Sequence, residues 1–551
     1  MTDVLFGQSY YLRFDPKLYA AMQPYPPLGT LYAASFVRDR GHSVALFDAM
    51  LAASDDEWTA TLQRAQPNVA VIYEDNFNYL SKMCLLNMRE ACFRMIASAR
   101  ARGCAVIVAG SDASDRDALY LDRGADFVVR GEGEATLSEL LDHLAGRGPS
   151  PDAIAGLAFK RADGTVARTA HRAELRDLDA LPRPAWDLVD VERYRDIWRR
   201  RHGYYSMAVA TSRGCPYHCN WCAKPIWGQR YNVRSPESVV AELGWLRETY
   251  RAEHIWFVDD ILGLKPGWIQ RFADLVEQDG APLPFKSLCR ADLLLRGDTV
   301  PALRRAGART VWIGAESGSQ SVLDAMDKGT TVAQNAEAAH RLQDAGIGVG
   351  FFIQFGYPGE TRDDIDATLQ LIRDARPDDI GVSVSYPLPG TKFYGAVSAQ
   401  LGTKQNWVDS SDLAVLYRGP YSTAFYRTLR TIVHKEFRMR RAIHALRRGD
   451  LRLTHLARVV YHAATLPFAR ARLELLARLP HRGVAPLAPF MAPGAAALPS
   501  PQPEGRAGDA GATPGINASD RRTRGTRALA AGRSEPSPTG VRDPSGRVGS
   551  P

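Results

Sequence analysis

Near the middle of the chain, Ser212-Arg213-Gly214-Cys215-Pro216-Tyr217-His218-Cys219-Asn220-Trp221-Cys222 places three of the seven cysteines in a C-x3-C-x2-C loop. A loop this short delivers its thiols to one place, so the residues around it have to form a scaffold that presents them together. Iron–sulfur cubanes are held by cysteine thiolates, normally four. Three thiolates leave one iron open to an outside ligand, which makes such a site one for chemistry. A zinc knot is the competing reading, with His218 as the fourth ligand of a Cys3His set. No second C-x2-C pair supports it, because Cys84, Cys92, Cys104 and Cys289 are scattered along the chain. Buried structural cysteines are the third reading. An odd number of cysteines, three of them in one loop, argues against a disulfide framework.

On both sides of the loop, short apolar runs alternate with helical periodicity. Before it the runs are residues 4–7, 43–47, 69–73, 105–109 and 126–129, separated by helical segments such as 28–40 and 84–102. Five strands alternating with helices predict an α/β fold, a doubly wound Rossmann-like parallel sheet over residues 1–148. Ligands of such sheets sit past the carboxyl ends of the strands. Those ends carry Gly7, Asp48, Glu74-Asp75-Asn76, Gly110-Ser111 and Gly131-Glu132-Gly133-Glu134. Residues 149–205 read as a connector, with a hairpin signal at Ala162-Asp163-Gly164.

A second βα series starts at residue 206. Strands are predicted at 207–210, 254–258, 285–290, 310–313, 348–355 and 381–386, a partial barrel of six βα units over 206–400. The cysteine loop follows its first strand, at the end where barrels place their chemistry. Ser235 and Pro236 predict the start of the first barrel helix, as N-cap and first residue. The later strand ends supply Asp259-Asp260, Arg290, Glu316-Ser317 and Gly356. Adjacent carboxylates suit an ammonium, a metal or a hydroxyl, with a helix cap as the plainer use of either. The planar guanidinium of Arg290 suits a carboxylate. Glu360 and Thr361 read as the cap of the helix that follows strand five.

With an aromatic residue before its third cysteine, the loop resembles the radical S-adenosylmethionine (SAM) superfamily. Gly314-Ala315-Glu316-Ser317-Gly318-Ser319 and Met326-Asp327-Lys328-Gly329 resemble segments of its cobalamin-associated members. Pro26-Pro27-Leu28-Gly29-Thr30-Leu31, Arg40-Gly41-His42 and Arg130-Gly131-Glu132-Gly133-Glu134 resemble the cobalamin-binding domain that precedes the barrel in enzymes similar to the anaerobic Mg-protoporphyrin cyclase and the phosphinate P-methylases. The resemblance implies that Cys215, Cys219 and Cys222 hold a 4Fe-4S cluster. SAM then chelates the open iron and is reductively cleaved to a 5′-deoxyadenosyl radical. It also implies that Trp221 packs near the adenine, that Asp259 or Asp260 meets the SAM amino group, and that Arg290, Glu316, Ser317 and Gly356 complete the SAM site. Gly7, Asp48, Gly110, Ser111, Gly131, Glu132 and Glu134 are the residues implied to border cobalamin. Many relatives have Gly-Gly where this chain has Gly110-Ser111, and the D-x-H-x-x-G motif that supplies an axial histidine in some cobalamin proteins is absent.

The activity implied is cobalamin-dependent methyl transfer to an unactivated carbon or phosphorus. A radical SAM cyclase, oxidase or rearranging enzyme that uses cobalamin differently or not at all is the alternative among enzymes. A non-catalytic metal-binding protein is the alternative outside them. A small-molecule, natural-product or lipid-like substrate and an electron donor such as flavodoxin or ferredoxin are the partners implied.

The net charge of +8 is unevenly placed: residues 421–480 carry +10 and 481–551 carry +4, leaving −6 for residues 1–420. The basic character belongs to the C-terminal part, so nucleic acid is not the expected substrate. Helices predicted at 425–446 and 451–466, with Gly449 in the turn between them, form a small helical region over 401–482. Solvated faces or contact with a membrane surface account for their charge. Tyr417, Tyr421, Tyr426 and His434 are candidates to reach the active site, with packing the plainer role. Residues 483–551, rich in Pro, Gly, Ala, Ser and Arg, are expected to be disordered. No apolar run approaches the ~18 residues of a membrane span. The first residues lack a basic-then-apolar leader, so a cytoplasmic protein is expected.

Overall fold

Five of the short apolar runs form strands β1 (Val4–Gly7), β2 (Val44–Phe47), β3 (Val69–Tyr73), β4 (Ala105–Ala109) and β5 (Phe127–Val129) in the computed structural model, which describes residues 3–222 and 226–479. The tail expected at 483–551 lies outside the described residues. The strands pair in parallel in the order β2-β1-β3-β4-β5. Their apolar runs are continuous because helices cover both faces. One apolar cluster gathers Leu5, Ile72 and Val108 with Trp58 and Met95, and another gathers Phe6, Val71 and Ile107 with Val37 and Leu140. The alternation along each strand puts these clusters on opposite faces.

The segment expected to be a connector belongs in part to this sheet. β6 (Leu157–Lys160) and β7 (Val166–Arg168) form a hairpin that pairs antiparallel onto β5, so the sheet has seven strands. The turn signal is local and the sequence shows it; docking on β5 is a tertiary choice. The helix Val191–His202 then leads to the barrel, burying Tyr194 and Trp198, and Trp198 Nε1 donates to the carbonyl of Pro24 at 2.7 Å.

The barrel begins with β8 (Ser206–Val209). A short antiparallel ladder, β9 (Ser212–Arg213) with β10 (Asn232–Val233), brackets the cysteine loop. Five further strands follow: β11 (His254–Phe257), β12 (Phe285–Cys289), β13 (Ala308–Glu316), β14 (Gly348–Phe355) and β15 (Asp379–Val384). β8 and β11 to β15 lie side by side in chain order, all parallel, with β8 and β15 at the two edges. This is the open, six-stranded barrel predicted. β13 runs further than its apolar run suggests, to Glu316, with a register shift between Gly314 and Glu316. Ser235 caps the helix Pro236–Tyr250 by accepting from Ser238 N. Thr361 caps the helix Arg362–Ala375 in a reciprocal box with Asp364; Glu360 takes no part in it and is buried elsewhere.

The largest apolar cluster does not respect domain boundaries. It runs from Leu31, Tyr32 and Met88 through Met207 and Phe257 of the barrel to Leu429 and Leu466 of the C-terminal helices. Those helices are Thr423–Arg447 and Leu453–Arg478, and the second continues past its expected end, through Pro467.

Inside the barrel, Trp312 stacks on Phe352 with ring centroids 4.7 Å apart, and Gly350 makes room for the indole: a Cβ there would lie 2.3 Å from it. Replacing Gly350 by Ala is therefore expected to destabilise the protein by about 1–3 kcal/mol, the usual cost of overpacking. Gly395→Ala, where a Cβ meets nothing within 4 Å, is expected to be neutral or better. Urea unfolding of the two variants checks this.

Candidate functional site

The cysteine loop is held at its base by a buried charge. Gly214, at φ 84°, lets the chain turn beside Arg230, whose carbonyl oxygen would lie 2.2 Å from any Cβ. That turn sends the Arg213 side chain, only 4 % exposed, into the first domain. There it ion-pairs with Glu132 and, at 2.7 Å, with Glu134. The rings of Tyr32, Phe77 and Trp227 surround the guanidinium at 5.6–5.9 Å. Burial alone would lower the pKa of Arg213, and Glu134 and Glu132 outweigh it, so the charge is kept. Burial raises the pKa of Glu132, with Arg213 opposing. The second oxygen of Glu132 accepts from Leu175 N at 2.5 Å.

Asn220, between the second and third cysteines, ties the loop to the far side of the barrel. Its N–H donates to Met326 O (3.0 Å), its Nδ2 to Ala325 O (2.7 Å), and its Oδ1 accepts from Tyr357 (2.8 Å). Arg290 stacks on Tyr217 at 3.6 Å and donates to Asp292 (2.9 Å) and to the Lys328 carbonyl (3.0 Å). Its guanidinium, expected to meet a carboxylate of SAM, thus holds the loop in place. Within the loop, burial raises the pKa of Cys222, followed by Asp260 and then by Cys219 and Cys215, which places the three thiols close enough to feel one another. His218 Nδ1 meets Gln229 Oε1 at 3.1 Å on the surface. Among the described residues no group of three His, Cys, Asp or Glu side chains is drawn together around one ion.

The strand ends divide into framework and open groups. Asp259 Oδ1 accepts from Thr211 N, Thr211 Oγ1 and Ser212 Oγ at 2.9, 3.0 and 2.6 Å, while its Oδ2 is buried without a partner among the described residues. Burial pushes its pKa up to about 6, against those hydrogen bonds. Asp260 instead pairs with Lys82 of the first domain at 3.0 Å. Glu316 sits at φ 58°, uncommon for a residue with a side chain, and accepts from Lys328 Nζ at 2.9 Å. Ser317 is buried against Thr368 Oγ1 at 3.0 Å. Trp221 packs beside Val322 and Tyr357, and its indole N–H is buried with no acceptor among the described residues. Gly356 N donates to Glu360 at 2.8 Å, its carbonyl accepts from Tyr417, and Tyr426 donates to Glu360 at 3.2 Å. Two of the C-terminal tyrosines therefore reach the end of β14.

Most residues nominated for cobalamin contact the chain itself. A Cβ on Gly7 would lie 2.9 Å from Trp58, and one on Gly110 2.8 Å from Glu74. Asp48 accepts from Met50 N and from Tyr194 (2.6 Å). Ser111 reaches Asn76 at 3.4 Å, Gly131 borders His171, and Glu132 and Glu134 hold Arg213. What does face the barrel is Tyr79. It is 46 % exposed, and burial, followed by Cys222, Glu316, Tyr386 and Asp260, raises its pKa. The contacts of Arg213, Asn220 and Lys82 carried no signal in sequence, since their partners lie dozens to hundreds of residues away; Lys328 finds Glu316 12 residues away.

Residues 209–372 match the family model described as the Radical SAM superfamily. The barrel is a radical SAM domain. A Pyrococcus horikoshii protein named as an uncharacterised methyltransferase is 28 % identical over 394 residues, 69 % of this chain and 81 % of that one. The anaerobic magnesium-protoporphyrin IX monomethyl ester cyclase of Synechocystis is 27 % identical over 381 residues, 68 % of this chain and 73 % of that one. Among solved structures, the cobalamin-dependent SAM radical enzyme OxsB with aqua-cobalamin bound superposes with a TM-score of 0.65 at 16 % identity, covering 86 % of this chain and 72 % of that one.

In the radical SAM domain the donor set fits a 4Fe-4S cluster. A cubane places each thiolate on a different iron, so its ligands surround the cluster instead of converging on one ion. The unpartnered Asp259 Oδ2 and Trp221 Nε1 fit the polar groups of SAM. A Cβ at Gly7 or Gly110 would press on Trp58 or Glu74, so glycine lets the backbone pack closely at both strand ends.

Breaking the Arg213 cluster leaves two buried carboxylates without compensation. Arg213→Met is expected to cost about 3–5 kcal/mol in urea unfolding, and adding Glu132→Gln and Glu134→Gln to recover part of it. Glu360 gives a pH dependence. Burial raises its pKa from 4.5 to about 8. Its contribution to stability is therefore complete below about pH 4.5 and is lost as pH rises through about 8. Relative to wild type, Glu360→Gln is expected to gain stability steadily over that interval, measured by unfolding at a series of pH values.

Proposed function

We propose that the protein is a cobalamin-dependent radical SAM methyltransferase acting on an unactivated carbon or phosphorus of a small molecule. The observation that carries this reading is the loop of Cys215, Cys219 and Cys222 at the carboxyl end of β8, pinned to the first domain by Arg213. Bound there, the cluster and SAM supply a radical that abstracts a substrate hydrogen, and cobalamin supplies the methyl group.

In this proposal the three cysteines hold the cluster, and Asn220 and Arg290 fix its distance from the strand ends. Asp259 offers its free oxygen to the SAM amino group, and Trp221 packs against the adenine. Glu316, which accepts from Lys328, and Ser317 orient the ribose side. Gly356 borders the nucleoside, with Glu360 and Tyr417 setting its backbone. Tyr79, Asn76 and Ser111 border the second cofactor from the first domain. The packed interface around Arg213 keeps bulk water from a reactive site. An external one-electron donor such as flavodoxin or ferredoxin would reduce the cluster.

A second reading is favoured by the likeness to the Synechocystis cyclase: a radical SAM cyclase or oxidase that uses cobalamin differently or not at all. Anaerobic reconstitution with iron and sulfide, then incubation with SAM and a reductant, tests the first tier. Release of 5′-deoxyadenosine is expected from wild type and only background from Cys215→Ala, Cys219→Ala or Cys222→Ala. A colourless zinc protein overturns the enzyme. Cobalamin recovered from the purified protein supports the methyltransferase, whereas cluster-dependent SAM cleavage with no retained cobalamin selects the second reading.

A further inference from the structure

The terminal helix Leu453–Arg478 is apolar on two faces, and one of them has nothing packed on it among the described residues. His462, Leu466 and Leu473 bury one face. On the opposite face Leu453, Leu456, Val460, Phe468 and Leu475 are 52–81 % exposed. Their spacing of three and four residues is completed by the exposed Ala464 and Ala471, so the stripe is unbroken along the whole helix. Eight of the thirteen exposed large apolar side chains among the described residues fall in residues 451–479, which makes this the dominant apolar surface of the molecule.

The charges beside the stripe decide what it meets. Exposed Arg458 and Arg472 lie along one rim; Arg452 and Arg470, along the other, pair with Asp450 and Glu436. The helix has one acid, Glu474, and Arg362 takes it at 2.7 Å. Against the neighbouring helix Thr423–Arg447, a groove of about 550 Å³ opens beside Phe468, with Arg427, Lys435 and Arg472 and the hydroxyls of Thr428 and Thr431 along it. An apolar stripe between arginine rims, beside a basic groove, matches an anionic bilayer surface: acyl chains against the stripe, phosphates against the rims. A second copy of the chain would set these rims against each other.

We propose that this face docks the protein on membranes containing anionic phospholipid, lying in the interface without crossing it; no helix among the described residues is long and apolar enough to span. The inference is independent of the proposed chemistry, and vesicle binding reads it without cluster, SAM or substrate.

The full-length protein is co-sedimented with vesicles of phosphatidylglycerol and phosphatidylcholine, and with phosphatidylcholine alone. Binding is expected to the first and to be weak to the second. Arg458→Glu with Arg472→Glu is expected to weaken binding at least about fivefold for each residue changed. Val460→Asp with Phe468→Asp is expected to abolish it, while Tyr19→Asp, an exposed aromatic elsewhere, binds as wild type. Circular dichroism melts confirm that the surface variants stay folded. Full-length protein left in the supernatant with anionic vesicles overturns the proposal, whether residues 480–551 or a second copy cover the face. So does binding that the face variants leave unchanged, which would assign it to another basic segment.

Discussion

A single guanidinium joins the two halves of this protein. Arg213 stands two residues before the first cysteine of the loop, and Glu132 and Glu134 receive it from the end of β5. Buried this deeply, the charge is tolerated only because both carboxylates and three aromatic rings surround it. The arrangement is all-or-none: shifting the loop away would strand three ionised groups in an apolar interface. The position of the cysteine loop relative to the first sheet is therefore set by electrostatics, and the apolar core shared by both domains packs around that choice.

Other contacts complete the same task. Asn220 fastens the loop to the end of the helix Gln320–Ala325 and to Tyr357, Arg290 stacks on Tyr217, and Lys82 crosses from the first domain to Asp260. Several residues whose chemistry suits a ligand are thus framework. Arg290 and Glu134 bind protein groups, while the groups left open, such as Asp259 Oδ2 and the indole N–H of Trp221, are inconspicuous until the framework's hydrogen bonds are assigned. The site is preorganised by polar contacts that converge on a loop of eleven residues from two domains.

The barrel shows the same economy at β14 and β13. Gly356, Glu360, Tyr417 and Tyr426 form one buried chain of hydrogen bonds that ties the C-terminal helices to a strand end. Glu316 is held in a left-handed conformation by its bond to Lys328, and Gly314 leaves the space in which the two meet. Such a conformation carries a cost of order 1–3 kcal/mol, sustained by the surrounding packing.

Local patterns determined much of this protein. Apolar runs broken by helical periodicity marked both parallel sheets, Ser235 and Thr361 marked helix starts, and the cysteine spacing marked the loop, since each of these is written within a few residues. Tertiary structure alone decided the rest. It paired the hairpin of β6 and β7 with β5, turned Glu132 and Glu134 toward Arg213, moved Glu360 from a helix cap into the core, and left one face of the terminal helix bare. Each of these is a choice of partner across tens or hundreds of residues. A side chain's chemistry states what it can bind, but only the folded chain settles which of the suitable partners lies within reach.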